Sequence, residues 1–411
     1  MRPGPPETSG SAASALSRRR LVPLTRGGVA PDYNPRMDPA ALPFPTTTSR
    51  PGDPPVEIAG LGTAQPPFVL TQAEALAYGL ALVKMNDQIR SLFTRVMSAD
   101  GIETRHIGVE QITDLLDTDH ERKLARFERW GVALSTGALQ QALSAAGAEP
   151  EALDFLAVTT CTGYLCPGLS AYVSETCRLR PDIRRVDLVG MGCGAALPAL
   201  EQARDFVLAH PGATAAVVST EICSAAMVLG DAPDLVVSNA IFGDGSAAAV
   251  LRASSPDAGL QGKDGSCRPR FVAFRSLLAT AWRDCLRFRT ERGHLRNVLS
   301  RDVPARAGEA CSTLVRQLLA DHGLKVPDVD RWVVHAGGKA VLDAVEQALA
   351  LPSAALESAR AVLRSCGNMS SPTVLFVLQE AQRRRPPRRG ERAIVTSFGA
   401  GFAAHAALVE Y

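Results

Sequence analysis

Residues 185–221, which read RVDLVGMGCGAALPALEQARDFVLAHPGATAAVVSTE, decide the fold. Apolar residues run together in Arg185–Gly190 and in Ala213–Glu221, which is typical of strands buried in a parallel sheet. Between them, apolar residues recur at helical spacing from Ala195 to about Ala209. A strand, a helix and a second strand in this order imply a right-handed crossover between parallel strands. The stretch therefore predicts an α/β fold.

Segments elsewhere in the chain extend this pattern. We expect strands at Val56–Ala64 and Asp154–Cys161, and one helix from Thr71 to about Val96. The first half closes with FGDGSAAAV at residues 242–250, and the chain closes with FGAGFAAHA at residues 398–406. Residues 332–338 run from a strand into a glycine loop before a helix, as the segment around Cys193 does. These correspondences predict two duplicated α/β lobes.

The composition limits the class of protein. The 411 residues are 46% hydrophobic and 21% charged, which suits a globular chain with two lobes of ordinary size. A formal net charge of +2 argues against a nucleic-acid partner. No run of 18 apolar residues occurs, so we expect no integral membrane association. Nine cysteines, an odd number, predict reduced thiols and a cytoplasmic location.

The first 55 residues differ from the rest of the chain. They hold 12 of the 28 prolines and few apolar residues at periodic spacing. Such a segment buries too little apolar surface to offset its ordering entropy, so we predict a disordered extension over residues 1–55. A spacer, a later start at Met37 or a transit peptide remain alternatives. The predicted lobes then cover residues 56–260 and 261–411.

Cys193 is the strongest candidate for a nucleophile. It lies where a strand passes into a helix, and Gly192 and Gly194 on either side permit a sharp turn. The positive end of the helix dipole favours a thiolate at this position. A small, buried core residue is the alternative role. Cys161 and Cys166 have C-x4-C spacing, but no second pair of ligands completes a zinc site, so no metal is expected.

Two further polar residues lie in glycine-rich turns of the second half. His335 precedes Gly337 and Gly338, and it could hold Cys193 in an imidazolium–thiolate pair. Asn368 lies in the run CGNMSSP at residues 366–372, where its amide could donate to a developing oxyanion. Each of the two could also be a turn residue that satisfies its own backbone.

At this point the chain from about Val56 to Tyr411 resembles the type III polyketide synthases, the chalcone and stilbene synthase family of thiolase-like condensing enzymes. The matching motifs stand in the family's order, and they are GTAQPP at 62–67, GCG at 192–194, FGDG at 242–245, HAGGKAVLDAVE at 335–346 and VLRSCGNMSSP at 362–372.

The resemblance implies a homodimer of five-layered αβαβα architecture, with CoA thioesters as substrates and no further cofactor. Cys193 would carry the acyl starter and the growing chain as a thioester. His335 would keep the thiolate charged and, with Asn368, would bind the thioester carbonyl while malonyl-CoA loses CO2. The product would be a pyrone, a resorcinol or a related aromatic compound.

The resemblance also implies a set of substrate-binding positions. Phe242 matches a phenylalanine at the junction of the CoA tunnel and the cavity. Gly337, Gly338 and Ala340 match the loop along the pantetheine arm, and Arg95 matches a contact to the CoA phosphates. The cavity lining departs from that of plant members, because Cys161, Cys166 and Asn297 occupy positions held there by threonine, methionine and phenylalanine. Cys166 takes the position of the methionine that enters the partner's cavity.

Two other functions are compatible with the same residues. An initiating ketoacyl-ACP synthase shares the Cys, His and Asn set, but it would condense once with a carrier-bound malonyl group. A catalytically silent dimeric scaffold would retain the fold alone. The complete GNMSSP run favours the polyketide synthase. The less aromatic lining suggests an aliphatic starter.

Overall fold

The strands and helices are given by a computed structural model that describes residues 1, 4, 46–48, 53–230, 232–254, 267–291 and 293–411. Within these ranges the strands are β1 (Thr47–Thr48), β2 (Val56–Ala64), β3 (Val69–Thr71), β4 (Thr104–His106), β5 (Phe155–Thr160), β6 (Arg184–Val189), β7 (Thr214–Glu221), β8 (Gly245–Ala253), β9 (Arg270–Leu278), β10 (Leu286–Glu291), β11 (His294–Leu299), β12 (Arg331–Val334), β13 (Arg392–Gly399) and β14 (Ala403–Glu410). The α-helices are α1 (Gln72–Leu82), α2 (Asp87–Met97), α3 (His120–Ala146), α4 (Leu169–Thr176), α5 (Ala196–Ala209), α6 (Cys223–Ala226), α7 (Pro233–Ile241), α8 (Val303–Asp321), α9 (Lys339–Leu349), α10 (Glu357–Cys366) and α11 (Thr373–Arg384).

One mixed sheet forms the centre of the molecule, with the strand order β12-β13-β14-β9-β2-β8-β7-β5-β6. β6 and β7 both run parallel to β5, as the βαβ reading of residues 185–221 predicts. The pairing pattern occurs twice. β2 is antiparallel to β8, β8 is antiparallel to β7, and β7 is parallel to β5. In the same way β9 is antiparallel to β14, β14 is antiparallel to β13, and β13 is parallel to β12.

The duplicated FGxG motifs differ in what precedes them. Both lead into alanine-rich strands, β8 and β14, as predicted. Phe242, however, caps the C-terminal end of helix α7, whereas Phe398 lies near the end of strand β13. The two halves therefore share their strand pairing, but the connection into the motif has diverged.

The helices pack on the sheet in a way that follows the two halves. α3 contacts β2 and β8, and α8 contacts β14 and β9. α5 contacts strands of both halves, among them β7 and β14, and α11 contacts both β12 and β8. Glycines let α3 approach β2, since a Cβ at Gly62 would lie 2.2 Å from the carbonyl oxygen of Ala138.

The predicted helix from Thr71 to Val96 is wrong as a single element. The chain forms α1 and α2, separated by an irregular segment from Val83 to Asn86. Asn86 adopts an extended conformation, and its side chain accepts a hydrogen bond from the amide of Ile89 at 2.9 Å. The apolar spacing continues through the break because both helices pack on the same interior. The spacing of apolar residues alone therefore does not reveal a capping residue that starts a new helix.

The predicted extension over residues 1–55 lies mostly outside the described residues. Within it, Thr47 and Thr48 form strand β1, which pairs with Phe274 and Ala273 of β9. From residue 39 onward the described residues belong to one compact unit. No helix among the described residues has the length and apolar character needed to cross a bilayer.

Candidate active site

Cys193 lies in a tight turn between a strand and a helix, as predicted. β6 ends at Val189, a 3-10 turn spans Gly192–Gly194, and α5 begins at Ala196. Gly192 has a φ of +61°, and a Cβ there would lie 3.0 Å from the amide nitrogen of Ala400. Ala195, at the N-cap of α5, has no side-chain group that could cap the first amides, so the positive end of the helix dipole remains next to the turn.

His335 lies at the end of β12 and is 1% exposed. Its ring contacts the ring of Phe398 edge-on, with 5.2 Å between the centroids. Phe398 is followed by Gly399 and Ala400, which pack against the turn that carries Cys193. The C-terminal end of β13 therefore brings the His335 loop and the Cys193 turn to the same place.

Asn368 connects the His335 loop to a third segment. It lies between α10 and α11, is 3% exposed, and donates from Nδ2 to the carbonyl oxygen of Gly337 at 3.1 Å. Its Oδ1 accepts a hydrogen bond from the amide of Ser370 at 2.8 Å. One N–H of the amide is committed to Gly337, and the other has no partner among the described residues.

Phe242 is held beside Asn368 by backbone pairing. The two residues form an isolated parallel bridge, in which the amide of Asn368 donates to Ile241 O at 2.8 Å and the amide of Gly243 donates to Asn368 O at 3.0 Å. The structure thus brings together the segments of Cys193, His335, Asn368 and Phe242.

Burial shifts the pKa values of the thiol and of the imidazole in opposite directions. It raises the pKa of the Cys193 thiol to about 12, against a smaller opposing effect of a hydrogen bond with Ser370. Burial also lowers the pKa of the His335 imidazole to about 3, and its Nδ1 has no hydrogen-bond partner among the described residues. Burial disfavours the charged form of each group, and the imidazolium–thiolate pair expected from the sequence stays a prediction.

A cavity opens in front of Cys193. Cys161, Phe242 and Asn297 line it, and their contact with a substrate stays a prediction. The β10–β11 hairpin forms one wall, where Phe288 pairs directly with Asn297 across the two strands. Asn297 is anchored by a hydrogen bond from its Nδ2 to Ser238 Oγ at 3.1 Å.

The remaining predicted residues lie outside this cavity. Cys166 is exposed at the surface of its own chain, so its entry into a partner's cavity stays a prediction. Arg95 is exposed in the last turn of α2, and Ala340 is exposed in the first turn of α9. The turn after α2 lies close to the start of α9, because a Cβ at Gly101 would be 3.3 Å from Cβ of Lys339.

Sequence reasoning missed a buried carboxylate next to the thiols. Glu221 ends β7 and is fully buried. Its carboxylate accepts hydrogen bonds from the amides of Cys161 and Thr162 at 2.9 and 3.1 Å, and from Ser371 Oγ at 2.7 Å. Burial raises its pKa, and these hydrogen bonds lower it by a smaller amount. An acidic residue at the carboxyl end of an otherwise apolar strand was the signal that could have found it.

Ser370 connects the site residues to this carboxylate. It has a φ of +60°, its hydroxyl lies 3.5 Å from Cys161 Sγ, and it donates to Glu221 at 3.4 Å. It also forms a hydrogen bond with the Cys193 thiol. A positive φ at a non-glycine residue costs energy, and it persists here because several hydrogen bonds fix the segment.

Comparison with known proteins matches nearly all of the ordered chain. A family model described as FAE1/Type III polyketide synthase-like protein matches residues 70–321, and one described as chalcone and stilbene synthases, C-terminal domain, matches residues 285–410. The 1,3,6,8-tetrahydroxynaphthalene synthase of Streptomyces peucetius subsp. caesius is 33% identical over 356 residues, which are 86% of this chain and 93% of that protein. The 3,5-dihydroxyphenylacetyl-CoA synthase of Streptomyces toyocaensis is 32% identical over 371 residues, covering 88% and 91% of the two chains.

A solved structure has the same fold. PKS-I from the brown alga Ectocarpus siliculosus superposes with a TM-score of 0.81 at 26% identity, over 87% of this chain and 98% of that one.

Proposed function

The chain belongs to the type III polyketide synthases, and we propose that Cys193, His335 and Asn368 are the residues that carry out its chemistry. Enzymes of this family are acyltransferases that condense malonyl-CoA units iteratively to aromatic or pyrone products, and this chain is such an enzyme. The observation that carries the residue assignment is the hydrogen bond from Asn368 to the His335 loop, beside the turn of Cys193.

Loading begins with the thiol of Cys193. Its sulfur attacks the thioester carbonyl of the starter while neutral His335 accepts the proton. A new carbon–sulfur bond forms, the bond to CoA breaks, and CoA leaves as a thiol with that proton. A neutral imidazole suits this role because only the unprotonated ring has a free lone pair to accept a proton.

Extension uses Asn368 and His335 as donors to an oxyanion. The bond between the malonyl carboxylate and its α-carbon breaks, CO2 leaves, and the electron pair forms an enolate. The free N–H of Asn368 and the N–H of His335 donate to the enolate oxygen. The enolate carbon then attacks the Cys193 thioester, a carbon–carbon bond forms, and the carbon–sulfur bond breaks to release the Cys193 thiolate, onto which the extended CoA thioester can be loaded again.

CoA is proposed to bind along the surface where α2 meets the start of α9. Arg95 supplies a cation for the phosphates, and Gly337, Gly338 and Ala340 leave room for the pantetheine arm. The exposure of Arg95 and the close approach of Gly101 to Lys339 support this path. Phe242, on the cavity wall beside Asn368, stands at the junction between that path and the cavity.

The working form is proposed to be a homodimer of five-layered architecture. Helices α5 and α11, which contact both halves of the sheet, would form the middle layer, with α3 and α8 in the outer layers. Tyr164 and Val189 are large apolar side chains that are exposed near the edge strand β6, on the same side as Cys166. Covering them in a dimer would also place Cys166 against the partner.

The test is an incubation of the purified protein with malonyl-CoA and a panel of acyl-CoA starters, with products identified by mass spectrometry. We expect products that contain several malonyl-derived units, and we expect none from Cys193→Ala. A product of one condensation, formed only from a carrier-bound malonyl group, would instead fit the initiating ketoacyl synthase. The absence of CO2 release and of product with any starter would fit a scaffold.

A further inference from the structure

His405 lies next to the turn that carries Cys193, and the proposed function gives it no role. In the sheet it stands directly opposite Ser397 of β13 and Ser276 of β9, so the three side chains form one row across three strands. The ring of His405 is buried. One edge of this ring faces the turn, because a Cβ on Gly194 would lie 3.0 Å from Cδ2 and 3.3 Å from Nε2 of the imidazole.

Hydrogen bonds within the row hold the ring and the turn together. Ser276 Oγ lies 2.7 Å from Nδ1 of His405, which fixes the plane of the imidazole. Ser397 Oγ donates to the carbonyl oxygen of Gly194 at 3.2 Å. The carbonyl oxygen of His405 accepts from Thr396 Oγ1 at 2.9 Å, so its place in the strand is fixed as well. The ring therefore cannot turn away from Gly194 without losing its hydrogen bond with Ser276.

The nitrogen of His405 that faces the turn has no hydrogen-bond partner. Nε2 is buried and bonds to none of the described residues. Burial lowers the pKa of His405 to about 4, so the imidazole is neutral near pH 7 and only one of its nitrogens carries a proton. The hydroxyl of Ser276 can accept a hydrogen bond from Nδ1. With the proton on Nδ1, Nε2 presents an unshared electron pair to the turn.

The start of α5 favours this tautomer. Ala195 has no side-chain acceptor for the first amides of the helix, so a positive potential remains beside Gly194. The unshared pair on Nε2 carries a partial negative charge, which the positive end of a helix stabilises, whereas an N–H in its place would be repelled. The surroundings are buried and screen this interaction only weakly.

The unshared pair also acts on Cys193 through the same potential. A helix N-terminus by itself lowers the pKa of a thiol, and a negative partial charge nearby opposes that effect. We propose that His405 is a positioning residue that keeps Cys193 in the thiol form between condensations, by presenting the unshared pair of Nε2 to the start of α5. The sulfur then ionises when His335 takes its proton. This inference rests on the proposed function only in taking Cys193 as the nucleophile.

The test measures alkylation of Cys193 by iodoacetamide against pH, with the modified peptide quantified by mass spectrometry. His405→Leu removes the unshared pair, so the pKa of Cys193 should fall by about half a unit to one unit. Alkylation at pH 7 should then rise about threefold, because part of the gain in thiolate is offset by lower nucleophilicity. A merely structural role would instead predict a slower reaction.

Two further variants frame this result. His405→Gln keeps an acceptor oxygen in the side chain, so its alkylation profile should stay close to that of the wild type. His210→Leu is the matched control, because it removes an imidazole at the opposite end of α5 and should leave the profile unchanged. The other titratable group beside Cys193 and Cys161, the carboxyl of Glu221, is the same in every variant.

A second route does not depend on replacing a buried side chain. Ser276 is exposed, so Ser276→Ala should fold normally, and the loss of its acceptor should raise the alkylation rate by a smaller factor. Nitrogen-15 NMR of the wild type, assigned by the signals missing from His405→Gln, should show the proton on Nδ1.

An unchanged or lower alkylation rate in His405→Leu would overturn the inference, as would the same result in Ser276→Ala or a proton on Nε2. Alkylation needs no turnover, so this outcome is decided separately from the product assay that tests the proposed function.

Discussion

At the scale of single residues, the proposed roles separate the carrier of the acyl chain, Cys193, from the donors to the reacting oxygen, His335 and Asn368. Cys193 lies in its own turn before α5, whereas Asn368 is bonded to the loop of His335. Because different segments hold these side chains, a substitution in one should leave the others in place. Loading and decarboxylation should therefore be separable by mutation.

Cys193→Ala is expected to abolish extended product, because no thioester can form on alanine. Release of CO2 from malonyl-CoA should persist, since His335 and Asn368 remain. The measurements are acyl-enzyme formation from a radiolabelled starter and CO2 release. Cys177→Ala, which removes a buried thiol outside the cavity, serves as the control and should retain both. Extended product from Cys193→Ala would refute its role as the carrier.

Asn368→Ala is expected to keep the loading of Cys193 and to impair decarboxylation. Loss of one oxyanion donor typically costs about 10²–10³-fold, so CO2 release should fall by about that factor. Loading on Cys193 should survive, and the same radiolabel experiment serves as the internal control for folding. His335→Gln should impair both steps, because glutamine can donate to the oxyanion but cannot accept the thiol proton efficiently. Normal decarboxylation by Asn368→Ala would remove that residue from the mechanism.

The stability of the protein should depend on pH through its buried histidines. His405 is 6% exposed, and burial lowers its pKa to about 4. Below the ordinary histidine pKa of about 6.5, the unfolded state binds a proton that the folded state does not, so stability falls as pH falls toward 4. His405→Gln removes the imidazole that binds this proton in the unfolded state. We expect its unfolding free energy to drop by about 2 kcal/mol less than that of the wild type between pH 7 and pH 5.

Urea unfolding at the two pH values measures this difference. Buried carboxyl groups such as Glu221, whose pKa is raised, act in the opposite direction in both proteins, so the comparison isolates the histidine. An identical pH dependence for the two proteins would show that His405 titrates normally in the folded state.

At the scale of elements, close packing between α3 and the sheet depends on small residues. A Cβ at Gly62 of β2 would lie 2.2 Å from Ala138 O and 2.5 Å from the amide nitrogen of Ala142. These atoms belong to the backbone of α3 and cannot move separately. Gly137, in the same helix, is different, since a Cβ there would meet only Cβ of Ala64 at an ordinary 3.6 Å.

These two glycines give a matched pair of substitutions. Gly62→Ala is expected to cost at least about 1–3 kcal/mol, the usual range for overpacking, because α3 must shift away from β2. Gly137→Ala should stabilise by about 0.5–1 kcal/mol, because alanine favours a helix interior. Urea unfolding of both variants at one pH gives the comparison. Equal free energies for Gly62→Ala and the wild type would mean that α3 packs less closely than the structure shows.

At the scale of the whole molecule, β6 is the outer strand of the described sheet, and large apolar side chains near it are exposed to solvent. Val189 is 52% exposed and Tyr164 is 69% exposed. We expect light scattering to give about twice the 43.5 kDa of the single chain. Val189→Asp should shift the protein toward the monomer, because it places a charge in the proposed interface.

Leu82→Asp is the matched control, since it places the same charge on an exposed apolar side chain of α1. It should leave the mass unchanged. A dimer that survives Val189→Asp would place the interface elsewhere on the molecule.

The sequence by itself determined the α/β class and the family, and it predicted the residues that are proposed to carry out the chemistry. Its run from Arg185 to Glu221 predicted the strand, turn, helix and strand with bounds within one residue of those observed, because burial and helical spacing are local properties. Glycine-rich turns indicated His335 and Asn368, which lie far from Cys193 in the chain, and the motif resemblance supplied their roles. The duplication also followed from short motifs at the ends of the two halves.

Only the tertiary structure decided what surrounds those residues. Burial disfavours the charges expected on Cys193 and His335, and burial is a property of the packed molecule. Glu221 joins the site because β7 ends beside the loops that carry Cys161 and Ser370, which are distant in sequence. The break between α1 and α2 likewise depends on contacts between elements, which no spacing along the chain records.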